Sequence, residues 1–117
     1  MITGIEHLAI IVNSEETVSF YLKLGFKEVF RKLRENDTVV ILEGYDIKIV
    51  LFVDPTHPFR HSEPEYYGIR GFALKVDEIE KTAEELGLVI SPISYNWIGT
   101  RYAYIKDPDG NLIQLHE

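Results

Sequence analysis

The sequence contains no cysteine among its 117 residues. That absence excludes a disulfide framework, a Cys-ligated zinc, an iron–sulfur cluster and thiol catalysis. Any metal would have to be held by His, carboxylate or amide groups. Methionine occurs once, at Met1, and glutamine once, at Gln114. No unbroken apolar run exceeds five residues, the length of Leu8 to Val12, against the roughly 20 that a membrane-crossing helix needs. We therefore expect no membrane partner. Met1 leads straight into strand-like sequence, without the charged start and apolar stretch of a secretory signal, so a cytoplasmic location is the default expectation. Positive charge is also scarce. Twelve Lys and Arg against nineteen Asp and Glu leave a net charge of −7, and a broad nucleic-acid or anionic-lipid surface would work against the protein's own field. No nucleic-acid partner is expected, although a local basic pocket is compatible with this balance.

What is present describes one ordinary globular domain, 45% hydrophobic and 26% charged. A chain of this length buries about two-thirds of the surface that its unfolded form exposes. Gly4 to Val12 reads as a strand. Asn13 follows as a helix cap with Glu16 three residues later, the spacing of a capping box. Val18, Tyr21 and Leu22 recur at helical spacing up to Gly25. From Phe26 to Phe52, three segments rich in Val, Ile and Phe are broken at Glu35-Asn36-Asp37 and Gly44-Tyr45-Asp46, the pattern of an antiparallel meander. Residues 54–67 carry Pro55, Pro58 and Pro64 without periodicity and read as a surface linker.

The second half follows the same plan. Ile69 to Val76 is strand-like, and Asp77 with Glu80 repeats the capping-box spacing. Ile79, Ala83 and Leu86 make an apolar helix face, and Gly87 ends the helix. Val89 to Ile98, Arg101 to Lys106 and Leu112 to His116 read as three further strands, the last two joined by the turn Asp107-Pro108-Asp109-Gly110-Asn111. Both halves thus read strand, helix, three strands. Gly4-Ile5-Glu6-His7 lines up with Gly68-Ile69-Arg70-Gly71, Val12-Asn13 with Val76-Asp77, and Ile49-Val50-Leu51 with Ile113-Gln114-Leu115, all at an offset of 64, while Gly25 and Gly87 are offset by 62. An internal duplication into modules 1–53 and 68–117, joined by linker 54–67, is the simplest account; chance pairing of short apolar stretches is the competing one.

Five stretches carry a family resemblance: His7-Leu8-Ala9-Ile10, Ser19-Phe20-Tyr21 through Leu24-Gly25-Phe26, Gly68-Ile69-Arg70, Val76-Asp77-Glu78-Ile79, and Asp107-Pro108-Asp109-Gly110-Asn111-Leu112-Ile113. In this order they resemble the vicinal oxygen chelate superfamily, the group of glyoxalase I, bleomycin-resistance proteins and extradiol dioxygenases. The closest resemblance is to small bacterial glyoxalase-like members. It implies an α+β fold, a pair of βαβββ modules whose strands form an incomplete mixed-sheet barrel around a cleft, and a homodimer.

In metal-using members of that family, four ligands stand at symmetric places on the first and last strand of each module. Carried over by resemblance, those places are His7, Val50, Gly71 and Gln114. Where the family commonly has His, Glu, His and Glu, this chain has two side chains without a lone pair. Strand alternation adds that His7, Ala9 and Ile11 share the cleft face, as do Lys48, Val50 and Phe52, Gly71, Ala73 and Lys75, and Leu112, Gln114 and His116. A proton shuttle of the glyoxalase type also needs a base, and neither Val50 nor Gln114 can act as one.

Each candidate carries a functional and a structural reading. His7 is a ligand-contacting hydrogen-bonder or acid/base, or a packed histidine in a polar cleft; Gln114 divides the same way. His7, Gln114 and His116 make a weak alternative metal set. Lys48 and Lys75, with His7, suit a carboxylate or phosphate of a small acidic molecule, or sit at the cleft rim with their heads in water. Phe52, Tyr102, Tyr104 and Trp97 line an apolar pocket or belong to the core. His57 and His61 stand at an H-x₃-H spacing, but the nearby prolines favour a surface loop over a zinc site.

The reading favoured by these residues is a glyoxalase-like protein with a degenerate metal site. It would bind a small organic ligand in the inter-module cleft with no cofactor and no metal catalysis. The first alternative is a metal-dependent lyase or isomerase of the glyoxalase I type on a partial or shifted site. A domain serving only protein association is the second.

Overall fold

The structure is a computed structural model that describes residues 1–60 and 64–117. The chain divides into two compact units, Met1–Pro58 and Phe59–Glu117. The first contains β1 (Leu8–Val12), α1 (Glu15–Lys23), β2 (Lys27–Leu33), β3 (Thr38–Gly44) and β4 (Ile47–Val53). Its four-stranded sheet runs in the order β1-β4-β3-β2. β1 pairs with β4 in parallel, and the other two pairings are antiparallel. Alternation buries Val12, Val40, Leu42, Ile49 and Leu51 on one face, where Val18 and Tyr21 of α1 are buried with them. Each such side chain contributes roughly 1.5–3 kcal/mol by leaving water. α1 is capped by Ser14, whose hydroxyl accepts from Glu16 N, and not by the expected Asn13. Its buried face is Thr17, Val18, Tyr21 and Leu24, while the expected Leu22 is exposed, because at 3.6 residues per turn it is rotated past Tyr21 and off that stripe.

Between β3 and β4, Tyr45 and Asp46 both hold positive φ, 54° and 63°, the signature of a two-residue type I′ hairpin turn. Neither is glycine, so the turn needs an anchor. Tyr45 supplies it: its hydroxyl donates to the Leu24 carbonyl, and its ring meets Phe26 edge-on at 5.2 Å. Gly25, at φ 110°, ends α1 and leaves the space that the Tyr45 hydroxyl occupies, which a Cβ would fill.

The second unit contains β5 (Phe72–Lys75), α2 (Ile79–Leu86), β6 (Ser94–Tyr95), β7 (Arg101–Lys106) and β8 (Leu112–His116), with sheet order β5-β8-β7-β6. β5 and β8 are parallel. The parallel registers of the two sheets repeat at a constant offset of 64: Leu8↔Ile49, Ala9↔Val50, Ile10↔Leu51 and Ile11↔Phe52 have their counterparts in Phe72↔Ile113, Ala73↔Gln114, Leu74↔Leu115 and Lys75↔His116. Each unit is thus a βαβββ module with a four-stranded mixed sheet, and the fold is α+β and glyoxalase-like, with neither sheet closed into a barrel.

α2 starts without a side-chain cap from its N-cap residue Glu78; the expected Asp77 accepts from Glu78 N and, among the described residues, from no helical N–H. The helix's first N–H, on Ile79, instead donates to Oε2 of Glu117 at 3.0 Å, and Arg101 reaches the same oxygen at 3.1 Å. Gly87 ends α2 in the left-handed region, as expected. Asp107, 4% exposed, accepts from Asp109 N, Asn111 N and Asn111 Nδ2 at 2.7–2.9 Å and so ties up the turn between β7 and β8.

Three strands are shorter than the sequence suggests. β1 starts at Leu8 and β5 at Phe72, where the parallel ladders with β4 and β8 begin, at Ile49 and Ile113. β6 shrinks to two residues. Pro92 has no N–H to donate, and Ser91 meets β7 through one backbone bond and its hydroxyl instead. Among the described residues, no helix is long and apolar enough to cross a membrane.

Candidate functional site

The sheet face that does not carry the buried core of each module presents residues in cross-strand rows. In the first module, one row is Ala9, Val50, Ile41 and Phe30, successive register partners across all four strands. Every member is hydrocarbon, and Val50 is 8% exposed. The neighbouring row is Ile11, Phe52, Val39 and Lys32. Arg34 stands over the Phe52 ring at 5.6 Å while its guanidinium pairs with Asp37, so its charge is engaged. Phe52 is therefore a half-buried member of this face.

The third row is charged and includes Lys48, Glu43 and Lys27. His7 precedes β1 at this end. Its Nδ1 lies 3.1 Å from Oε1 of Glu6, and Lys48 Nζ lies 3.2 and 3.3 Å from the two oxygens of the same carboxylate. Glu6 thus bridges the two basic candidates of the first module. The hydrogen bond with His7, and then that from Lys48, hold the Glu6 carboxyl below the ordinary glutamate range. Sequence reading missed Glu6 because alternation puts it out of phase with His7. The available signal was an acid adjacent to the histidine, at the end of the strand whose parallel neighbour carries Lys48.

In the second module the corresponding rows have another chemistry. Ala73, Gln114 and Tyr104 are register partners, and Gln114 Nε2 donates to the Tyr104 hydroxyl at 3.3 Å. Lys75, His116, Tyr102 and Ser94 form the next row. Tyr102 and Tyr104 meet edge-on at 5.7 Å, both half-buried on this face and not in the core. Asn96 Nδ2 lies 3.5 Å from Nε2 of His116. Trp97 is not part of the core: it is 94% exposed in the β6–β7 turn.

Gly71 stands just before β5. A Cβ at that position would fall against the carbonyl of Leu112, closer than real Cβ contacts come. The backbone is packed there as only glycine permits. Among the described residues, no group of three or more His, Cys, Asp or Glu could hold a metal ion. His57 pairs with Asp54 at 3.2 Å; His61, its H-x₃-H companion, lies outside the described residues.

A family model described as Glyoxalase/Bleomycin resistance protein/Dioxygenase superfamily matches residues 4–115. The chain is 32% identical to the uncharacterized protein YwkD of Bacillus subtilis, over 100% of this chain and 98% of that protein. It is 29% identical to the uncharacterized protein YaeR of Escherichia coli, over 97% and 95%. Among solved structures, a glyoxalase family protein from Enterococcus faecalis superposes with a TM-score of 0.89 at 33% identity, covering 97% of both chains. The fosfomycin resistance protein FosX of Listeria monocytogenes, at 20% identity and a TM-score of 0.73 over 99% of this chain and 93% of that one, shares the fold.

Proposed function

The chain belongs to the glyoxalase/bleomycin resistance protein/dioxygenase superfamily, and from that premise we propose that it binds a small organic molecule on the open faces of its sheets without metal chemistry. The observation that carries this reading is the state of the places where the family keeps its metal ligands. Val50 lies inside a hydrocarbon row, and Gly71 is packed so that no side chain fits without a backbone shift. A divalent ion needs oxygen, nitrogen or sulfur lone pairs. The two remaining places supply a histidine tied to Glu6 and an amide tied to Tyr104, with no carboxylate at any of the four. These residues do not fit the family's metal, and no step is routed through one.

In the second module, Tyr102 and Tyr104 supply ring surface beside the hydrogen-bonding groups of Gln114, His116 and Lys75, and apolar walls with a few placed polar groups are the composition of small-molecule sites in general. The corresponding face of the first module offers hydrocarbon from Ala9, Ile41 and Phe30. Family membership supports the companion proposal of a homodimer, which light scattering on the eluting protein checks. Thermal-shift measurement separates metal-free binding from a metal-dependent lyase or isomerase. We expect Ni²⁺, Zn²⁺ and Co²⁺ to leave the midpoint unchanged, and at least one amphipathic small molecule to raise it. A rise with metal, joined to turnover of a hemithioacetal and lost in His7→Ala, would replace this reading by the enzymatic one.

A further inference from the structure

We infer that Lys75, His116 and Tyr102 form a binding row for the oxyanion head group, carboxylate or phosphoryl, of a small organic ligand; this rests on the proposed small-molecule function and adds the charge of the ligand. The three residues are successive register partners on β5, β8 and β7. Adjacent strands lie about 4.8 Å apart, so Lys75 and Tyr102 flank His116 at about that spacing. A head group over the imidazole is within reach of both an ammonium and a hydroxyl.

The hydrogen-bonding state of the row favours an anion. Asn96 Oδ1 accepts from Ile98 N at 3.1 Å and from Thr100 N at 2.9 Å, which fixes the orientation of its amide. Its Nδ2 therefore faces Nε2 of His116 as a donor, Nε2 is the acceptor, and the ring proton of the neutral imidazole sits on Nδ1. Among the described residues, neither Lys75 Nζ, Tyr102 Oη nor His116 Nδ1 has a hydrogen-bond partner. The row thus presents three donors, one of them charged. Arg70 lies within electrostatic range of Tyr104 and Tyr102, although its guanidinium is paired with Glu65. The nearest carboxylate in sequence, Glu117, is committed to Arg101 and Ile79 N.

Nothing in the fold requires these donors. The same row in the first module, 64 residues earlier on the paired parallel strands, is Ile11 and Phe52, followed by Val39. Lys48 is no substitute, because Glu6 already occupies it.

The test is an NMR titration of backbone amides in the full chain with benzoate, with inorganic phosphate, and with neutral benzamide. We expect saturable shifts centred on Lys75, Tyr102 and His116 with benzoate or phosphate. Whichever anion saturates identifies the head group. Lys75→Met should weaken that binding about tenfold or more, the factor for one charge-assisted hydrogen bond. Lys81→Met, the same loss of charge on α2, should leave it within about twofold. The row is refuted if neither anion saturates, if the shifts centre elsewhere, or if both variants weaken binding equally. Saturation by benzamide without benzoate or phosphate refutes the row yet leaves the small-molecule reading standing.

Discussion

Replacing Val50 by glutamate restores, at one position, the residue type that metal-using relatives of this fold carry. The structure predicts that the chain will not tolerate it. Val50 is 8% exposed, and its register partners Ala9 and Ile41 offer no donor. The substitution removes the burial of a valine and places a carboxylate among hydrocarbon, for a combined cost of about 3 kcal/mol. Lys48, two residues away on the same face, is already held by Glu6. At about 4 °C per kcal/mol for a domain of this size, the midpoint should fall by about 12 °C at pH 7.5.

The sign of the pH dependence follows from desolvation, which raises the introduced carboxyl's pKa in the folded state above its unfolded value of about 4.3. The penalty is then full above the folded pKa and shrinks as the pH falls toward the unfolded one. Thermal unfolding of Val50→Glu, Val50→Gln and the parent at pH 7.5 and pH 4 measures this. The gap between Val50→Glu and the parent should narrow in acid, while that of Val50→Gln stays constant. A Val50→Glu protein within about 2 °C of the parent at pH 7.5, or one restored by Ni²⁺ or Zn²⁺, would show that this hydrocarbon row accommodates a carboxylate after all.

The Glu6 carboxyl should titrate below the ordinary glutamate range in carbon-detected NMR and move back toward it in Lys48→Met. Because its folded pKa is the lower one, whatever stability it contributes is present above the unfolded value and lost as the pH falls through the folded one. Glu117→Gln should cost about 0.5–2 kcal/mol by weakening the acceptor that caps Ile79 N, with faster amide exchange over the first turn of α2 and little change at α1. Asp107→Ala should cost about 2–4 kcal/mol in chemical denaturation, since it leaves three donors of the β7–β8 turn without their acceptor; Asp107→Asn should recover part of that.

The fold was legible where periodicity and repetition carried it. The 64-residue offset, read from short apolar matches, recurs in the parallel hydrogen-bond registers because both modules use the same first-to-last strand pairing. Alternation likewise placed Ala9, Val50 and Phe52 on one face and Ala73, Gln114 and His116 on another. Element ends were less legible. Asn13 and Ser14 are both good caps, and only the three-dimensional start of α1 selects Ser14. Val89 to Ile98 reads as one strand, whereas Pro92 cannot donate to a ladder and only Ser94–Tyr95 pair with β7. The candidate site was legible as a set of positions and not as a set of bonds. That Lys48 is neutralised by Glu6, that Asn96 orients His116, and that Leu112 leaves no room at Gly71 depend on side chains and backbone brought together from distant sequence.

The proposed loss of a working divalent-metal site is measured by elemental analysis of the full chain after equilibrium dialysis against Ni²⁺ and Zn²⁺, followed by a metal-free wash. No stoichiometric metal should remain on the protein. One tightly held divalent ion per chain, lost in His7→Ala or in Gln114→Ala, would contradict that loss.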